Sequence, residues 1–133
     1  MLQRYPLIVF DWDGTLFDSA GNIVRSLQAA EWGGTPPSDE TARHVIGLDL
    51  QQALQLAAPD VPAYRHPLLA QAYRAQYRKH QGDITLFTGA HDMLLSLKGK
   101  GHMLAVATGK SRTGLNEALD AVGLSHMFDA TRT

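Results

Sequence analysis

Two carboxylates separated by a single residue are the groups in this sequence best suited to chemistry. Asp11 and Asp13 directly follow a run of four apolar residues, Leu7–Phe10. An unbroken apolar run of this length is typical of a strand buried on both faces of a parallel sheet, and ligands of such sheets bind beyond the carboxyl ends of the strands. Burying an unpaired carboxylate costs free energy, so two of them invite a cation. The sequence therefore predicts a metal or phosphate site, and the alternative is an ordinary Asp-Gly turn.

A second apolar run also ends in residues that can bind a phosphate group. Met103–Ala107 is followed by Thr108, Gly109 and Lys110. If the two runs are neighbouring parallel strands, these three residues lie beside the two carboxylates. A hydroxyl at a strand end also has purely structural uses, and Lys110 also suits the start of a helix, so both alternatives stay open.

Both segments resemble motifs of one enzyme family. Residues 7–15, LIVFDWDGT, resemble the first motif of the haloacid dehalogenase superfamily of phosphohydrolases, four hydrophobic residues followed by DxDGT. Residues 103–110, MLAVATGK, resemble its second motif, a strand that ends in Thr or Ser. The combination of DGTLFDS with AVATGK is most similar to phosphoglycolate-phosphatase-like members. The resemblance implies an α/β fold, with a Rossmann-like parallel-sheet core and an inserted all-helical cap.

The resemblance also implies a Mg²⁺-dependent phosphatase that acts on a small phosphorylated metabolite. Asp11 would be the nucleophile that forms an aspartyl-phosphate, and Asp13 would be the general acid and base. Both would hold the Mg²⁺ ion, a hard cation that prefers oxygen ligands. The residues expected to bind the phosphate group are Gly14, Thr15, Thr108, Gly109 and Lys110. Substrate selection would fall to Arg43, Gly47 and Leu48 in the cap, although a solvated arginine and a helix break explain these residues equally well.

Two other functions fit the same residues. A phosphosugar mutase of the same superfamily uses both aspartates but returns the phosphoryl group to a sugar. The second alternative is a non-catalytic module that binds phosphate or a partner. Hydrolytic dehalogenases fit less well, because they need no acid two residues after the nucleophile.

Part of the family's machinery is expected outside these 133 residues. Family members carry a third-motif lysine and fourth-motif acids on later segments, whereas residues 126–133 look like the approach to a third strand. Lys110 directly follows the second motif and is not the third-motif lysine. We therefore expect a C-terminally truncated chain that is poorly active alone and forms homo-oligomers through an exposed sheet edge.

Composition narrows the class of protein further. The chain has 12 basic and 13 acidic residues and no cysteine. No basic stripe points to nucleic acid, and thiol and disulfide chemistry are excluded. Because no apolar stretch approaches the ~20 residues of a membrane span and the start lacks a signal-peptide apolar region, we expect a cytoplasmic protein without a membrane partner.

The order of elements supports a cap inserted into a core. Residues 1–17 and 84–133 are predicted to form the α/β core, and residues 18–83 the helical cap. Within the cap we expect a first helix that ends at Gly33 and Gly34, a second capped by Ser38, a third over Leu50–Ala57 and a fourth over residues 63–80. In the fourth helix one face is predicted to carry Tyr64, Leu68, Ala72 and Ala75, and beside it lie Leu69, Tyr73 and Tyr77.

Overall fold

The chain folds into two compact units in the computed structural model, which describes residues 4–30 and 35–133. One unit comprises Met1–Asp18 and Thr85–Thr133, and the other is Ser19–Ile84. All three strands lie in the first unit, which we call the core unit. The second, called the helical unit, contains only helices among its described residues. The predicted α/β fold with a parallel sheet and an inserted helical segment is confirmed.

The elements follow the chain in this order: β1 (Leu7–Phe10), α1 (Ala20–Ala29), α2 (Asp39–His44), α3 (Leu50–Ala57), α4 (His66–His80), α5 (Ala90–Gly99), β2 (Met103–Ala107), α6 (Arg112–Ala121) and β3 (Ala130–Arg132). Short 3₁₀ turns, Ala63–Arg65 and Gln81–Asp83, flank α4. No helix in the described ranges is both long and apolar enough to cross a lipid bilayer.

The core unit is built on a three-stranded parallel sheet in the order β1-β2-β3. Leu7 of β1 is in register with Met103 of β2, and Phe10 with Val106. Both strands therefore end at the same edge, and the loops that follow them leave the sheet side by side. This parallel arrangement is what brings the two predicted motifs together.

One prediction about β1 is wrong, because its apolar run is not buried on both faces. Leu7 is 48% exposed and Val9 is 55% exposed, while Ile8 and Phe10, on the opposite face, are half-buried. The strand lies at the end of the sheet and pairs only with β2 in the described part of the chain. A continuous apolar run shows that a strand can be buried, but its burial depends on which neighbours cover it.

The core of this unit lies on the face of the sheet opposite Leu7 and Val9. Leu104 and Val106 of β2 lie on this opposite face, because side chains alternate along a strand. Both residues are fully buried. Helix α5 contacts β2. Apolar side chains of the two flanking helices and the turn after α6 are also buried: Leu94, Leu115, Leu119 and Leu124.

The helical unit has an apolar core of its own. Ile23, Leu27 and Ala30 have the spacing of one helical face, and all three are buried. They belong to a cluster with residues of the three following helices, which includes Ala42, Val45, Leu54, Ala57 and Leu69. The side chain of Ser38 accepts a hydrogen bond from the amide of Thr41 and so caps α2 as predicted. Gly33 and Gly34, the predicted end of the first helix, lie outside the described residues.

The predicted extent and buried face of α4 need correction. The α-helix begins at His66, three residues later than predicted, and Pro67 occupies its first turn, where a residue without an amide hydrogen is tolerated. The preceding residues form a 3₁₀ turn instead. Leu69 is the buried residue of α4, whereas Tyr64 and Leu68 are largely exposed. The helix therefore faces the core with the set predicted to lie beside the first face, since Leu69 is buried and Tyr73 and Tyr77 pack against the apolar cluster.

Candidate active site

The candidate site lies at the carboxyl edge of β1 and β2. Asp11 follows β1 directly, and Thr108 follows β2 directly. The two strands are in register through Phe10, the last residue of β1, and Val106, the last residue but one of β2. Polar groups beyond the ends of neighbouring parallel strands share one edge of the sheet, which is the usual place for a ligand in α/β folds.

A tight turn positions the two carboxylates. The carbonyl oxygen of Trp12 accepts hydrogen bonds from the amides of Thr15, Leu16 and Phe17 at 3.1–3.2 Å. Leu16 and Phe17 are buried, so the turn is anchored to the core unit. The amide of Trp12 also donates to Oδ1 of Asp11 at 2.7 Å. These bonds fix the backbone on which both acids are carried.

Gly14 has a structural role in this turn. Its φ angle is +77°, and no atom lies within 4 Å of the position that a Cβ would take. The glycine is thus required by backbone conformation and not by crowding. Its amide donates to the carbonyl oxygen of Phe17 at 2.9 Å. The binding of phosphate by Gly14 stays a prediction. Thr15, also predicted to bind phosphate, lies exposed in the same turn.

Lys110 joins the two segments of the site. Its Nζ atom lies 3.9 Å from Oδ1 of Asp13, and both side chains are largely buried. The separation is longer than a hydrogen bond, so the lysine places a positive charge beside the carboxylate without a close contact between these two atoms. A cation in this position can attract the negative charge of a phosphate group.

Thr108 is oriented by the turn that carries Lys110. Its Oγ1 atom accepts a hydrogen bond from the amide of Lys110 at 3.1 Å, which leaves the hydroxyl hydrogen to donate elsewhere. Its own amide donates to the carbonyl oxygen of Arg132 at 2.9 Å. This bond ties the end of β2 to β3. Gly109 lies between these residues and is half-buried.

Trp12 is a site residue that the sequence analysis missed. Its side chain is fully buried, and it stacks on Phe17 with ring centroids 5.2 Å apart. The ring of Phe128 packs against it edge-on at 6.4 Å. Asp11 and Asp13 are its neighbours in the chain, so the anchored ring holds the backbone between the two acids. The sequence contains one signal for this role, a large aromatic residue between two acids. Because side chains alternate between the two sides of an extended chain, the aromatic ring points to the core side.

The three residues predicted to select substrate lie in the helical unit. Arg43 is exposed in the last turn of α2. Gly47 has a φ angle of +98°, and the amide of Leu48 donates to the carbonyl oxygen of Val45 at 3.2 Å. Gly47 and Leu48 lie in an exposed turn after α2, and the role of the three residues in substrate selection stays a prediction.

The donor atoms of the site suit Mg²⁺ but are few. Asp11 and Asp13 supply carboxylate oxygens, the type of ligand that a hard divalent cation prefers. Within the ranges that the structure describes, no group of three or more acidic, histidine or cysteine residues is placed to hold a metal. The two aspartates are therefore compatible with part of a magnesium site.

Comparison with known proteins identifies the family. Residues 8–133 match the haloacid dehalogenase-like hydrolases, and this match covers nearly the whole chain. The chain belongs to that family. The two motifs of this haloacid dehalogenase-like chain are the segments that form the candidate site.

Individual relatives show similarity over almost all of this haloacid dehalogenase-like chain. It is 35% identical to a probable phosphatase, IndB, of Dickeya dadantii, over 93% of this chain and 56% of IndB. It is 30% identical to a phosphoglycolate phosphatase of Agrobacterium fabrum, over 94% of this chain and 57% of the relative. The solved structure of protein tyrosine kinase A of Mycobacterium tuberculosis superposes with a TM-score of 0.77 at 32% identity, covering 96% of this chain and 59% of that one. The chain thus spans somewhat more than half the length of these relatives.

Proposed function

We propose that this chain carries the nucleophile and phosphate-binding part of a Mg²⁺-dependent phosphatase. The substrate is a small phosphorylated metabolite, with phosphoglycolate as the first candidate because a phosphoglycolate phosphatase is among the relatives. The observation that carries the proposal is the meeting of two segments distant in sequence, where Lys110 of one lies 3.9 Å from Asp13 of the other. An ordinary turn after β1 would not require a lysine from the neighbouring strand.

The reaction follows from the positions of the two carboxylates. A carboxylate oxygen of Asp11 attacks phosphorus, and the bond from phosphorus to the ester oxygen breaks. Asp13 gives a proton to the departing oxygen, which leaves as an alcohol. Asp13 then takes a proton from water as this water attacks the phosphorus of the aspartyl-phosphate. Inorganic phosphate leaves, and both acids return to their starting states.

Other groups of the site stabilise the charge of the phosphoryl group. Lys110 supplies a positive charge, and the hydroxyl of Thr108 is free to donate a hydrogen bond to a phosphoryl oxygen. Gly109 allows the backbone between them to approach a ligand without a side chain in the way. Mg²⁺, held by Asp11 and Asp13, supplies further neutralisation of negative charge when it is bound. The turn anchored by Trp12 keeps the acids in place, so alignment is built before substrate arrives.

Because the 133 residues alone are expected to be poorly active, the test compares the full-length protein that carries them with its Asp11→Asn variant in the presence of Mg²⁺. We expect the variant to lose release of inorganic phosphate from phosphoglycolate, because an amide is a poor nucleophile. We also expect a phosphorylated adduct in the mass spectrum of the parent protein only. Asp60→Asn, an exposed residue of the helical unit, is the matched control and should behave as the parent. Equal turnover by parent and Asp11→Asn would remove Asp11 from the nucleophile role.

Transfer to an acceptor other than water is the second candidate. The similarity to a protein described as a tyrosine kinase favours it, and a phosphosugar mutase would share the same first step. The reaction product distinguishes a phosphatase from a phosphotransferase. Labelled phosphate that appears on a sugar or a tyrosine instead of in solution would replace the phosphatase with a phosphotransferase. If no labelled phosphate is released, transferred or bound covalently, a non-catalytic binding module is favoured.

A further inference from the structure

Helix α6 contains a glycine that its backbone conformation does not require. Gly114 is the third residue of the helix, and its φ angle is not among the positive values that favour glycine. Glycine weakens a helix, because it loses more backbone freedom on folding than any other residue. An alanine at this position would favour the helix, so the presence of Gly114 needs another explanation.

The space beside Gly114 is occupied by the side chain of Lys110. A Cβ atom on Gly114 would lie 3.3 Å from Cε and 3.4 Å from Cγ of Lys110, and 3.1 Å from Oγ of Ser111. These distances are shorter than ordinary van der Waals contacts, so a neighbouring side chain would have to move. At Gly21 and Gly99, which also lie in helices, a Cβ atom would have nothing within 4 Å. Crowding therefore distinguishes Gly114 from these two glycines.

The aliphatic stem of Lys110 follows the surface that Gly114 leaves open. Helical side chains lean towards the amino end and cover the residue four positions earlier, so a side chain at position 114 would cover Lys110. With glycine there, the stem lies against α6 and the Nζ atom lies 3.9 Å from Oδ1 of Asp13. Only 13% of the lysine side chain is exposed. This packing restricts a side chain that otherwise has many rotamers.

The first turn of α6 provides a fixed surface for this contact. Oγ of Ser111 accepts a hydrogen bond from the amide of Gly114 at 3.1 Å and caps the helix. The guanidinium of Arg112 donates to the carbonyl oxygen of Thr131 at 3.0 Å, which ties the turn to β3. Leu115, the next residue of the helix, is fully buried. Because these contacts hold the turn, it gives the lysine stem a constant position.

We propose that Gly114 is a positioning residue of the site and acts through Lys110. The missing side chain lets the lysine stem pass along the first turn of α6, and the charge is thereby held beside Asp13. This inference rests on the proposed function, in which that charge stabilises the phosphoryl group. A side chain at position 114 changes activity by moving the lysine.

The first test measures kcat/KM for phosphate release from phosphoglycolate by the full-length protein that carries these residues. We expect Gly114→Ala and Gly114→Leu to lower kcat/KM stepwise, by about tenfold for leucine, because the amine moves but keeps its charge. Alanine is a better helix former than glycine, so the melting temperature of Gly114→Ala should not fall. Gly99→Ala replaces an exposed glycine at the end of α5 and should leave kcat/KM unchanged. Unchanged kcat/KM in Gly114→Leu would overturn the proposal.

A double-mutant cycle distinguishes positioning from a general change in structure. In a Lys110→Met background there is no amine to displace, so Gly114→Leu should cause little further loss of kcat/KM. A loss of the same factor in both backgrounds would show that Gly114 does not act through Lys110, and the proposal would be wrong.

The reactivity of the Lys110 amine gives a readout that does not depend on activity. Limited acetylation followed by peptide mass spectrometry measures the rate of modification, with the exposed Lys79 of α4 as the internal reference. We expect Lys110 to react faster in Gly114→Leu than in the parent, because the displaced side chain is more exposed. Equal rates would contradict the positioning role. Faster modification in a protein whose parent releases no phosphate would overturn the proposed function but support the placement of Lys110 by Gly114.

Discussion

At the scale of single residues, Lys110 is the side chain on which the proposed chemistry depends most. Its charge lies beside Asp13 in surroundings that exclude most solvent, since the two side chains are 13% and 11% exposed. Electrostatic interactions are stronger there than in bulk water. The lysine therefore has two candidate roles, which are to hold Asp13 in place and to attract the phosphoryl group.

Replacing Lys110 separates those roles. We expect Lys110→Met to lower kcat/KM for phosphate release by about 10²–10³, the usual effect of removing one contact that stabilises transition-state charge. Lys110→Arg keeps the charge and should recover part of the loss. Lys79→Met, an exposed position of α4, is the control. If Lys110→Met changes only the melting temperature and leaves kcat/KM intact, Lys110 is a structural partner of Asp13.

Sequence reasoning identified much of this site but not its hydrogen bonds. The ends of both strands were predicted correctly, and parallel register then brings Lys110 to Asp13 without further assumptions. The hydrogen bond from the Gly14 amide to Phe17 was not predicted, because it depends on how the turn closes. Nothing in the order of residues reveals that closure. The role of Trp12 was not predicted, because the charged residues on either side of it carry the chemical signal of the motif and its buried ring carries none.

At the scale of elements, local sequence signals predicted the bounds of helices and strands well, but they did not predict which residues are buried. The bounds of α3 and β2 agree with the prediction, since an Asp cap and an apolar run with polar ends fix them locally. The exposure of Leu7 and Leu68 was not foreseen. Their burial depends on which elements cover them, and this information is absent from a pattern read one segment at a time.

Contacts between helices can be tested at Asn22. This side chain is buried in α1 and donates from Nδ2 to the carbonyl oxygen of Tyr77 in α4 at 3.2 Å. Its Oδ1 atom accepts from the hydroxyl of Ser26 at 3.3 Å. We expect Asn22→Ala to lower the free energy of unfolding by about 1–3 kcal/mol, because buried polar partners lose their bonds. Chemical denaturation measures the change.

The neighbouring hydroxyl provides a check on this explanation. Ser26→Ala should cost less than Asn22→Ala, and the double variant should cost less than the sum of the two, because the residues share one hydrogen bond. Asn116→Ala, at an exposed position of α6, should change stability by no more than about 0.5 kcal/mol. Strictly additive losses would show that Asn22 and Ser26 act independently.

At the scale of the whole molecule, the helical unit is an insertion with adjacent ends. The amide of Asp18 donates to the carbonyl oxygen of Thr85 at 2.8 Å, so the chain leaves the core unit and returns to it at neighbouring positions. The helical unit also has its own apolar cluster, drawn from all four of its helices. A segment with close ends and a separate core has the features of an independent folding unit.

We therefore expect residues 19–84 to fold when produced alone. Far-UV circular dichroism should show helix, and heating should give one cooperative transition. The free energy of unfolding should not exceed about 5 kcal/mol, because a single core of this size rarely supplies more. Leu54→Ala removes a buried side chain of α3 and should cost about 2–5 kcal/mol, enough to unfold the isolated segment. Leu56→Ala, exposed on the same helix, should leave it folded. A non-cooperative transition in the parent segment would mean that the helical unit depends on the core unit for its stability.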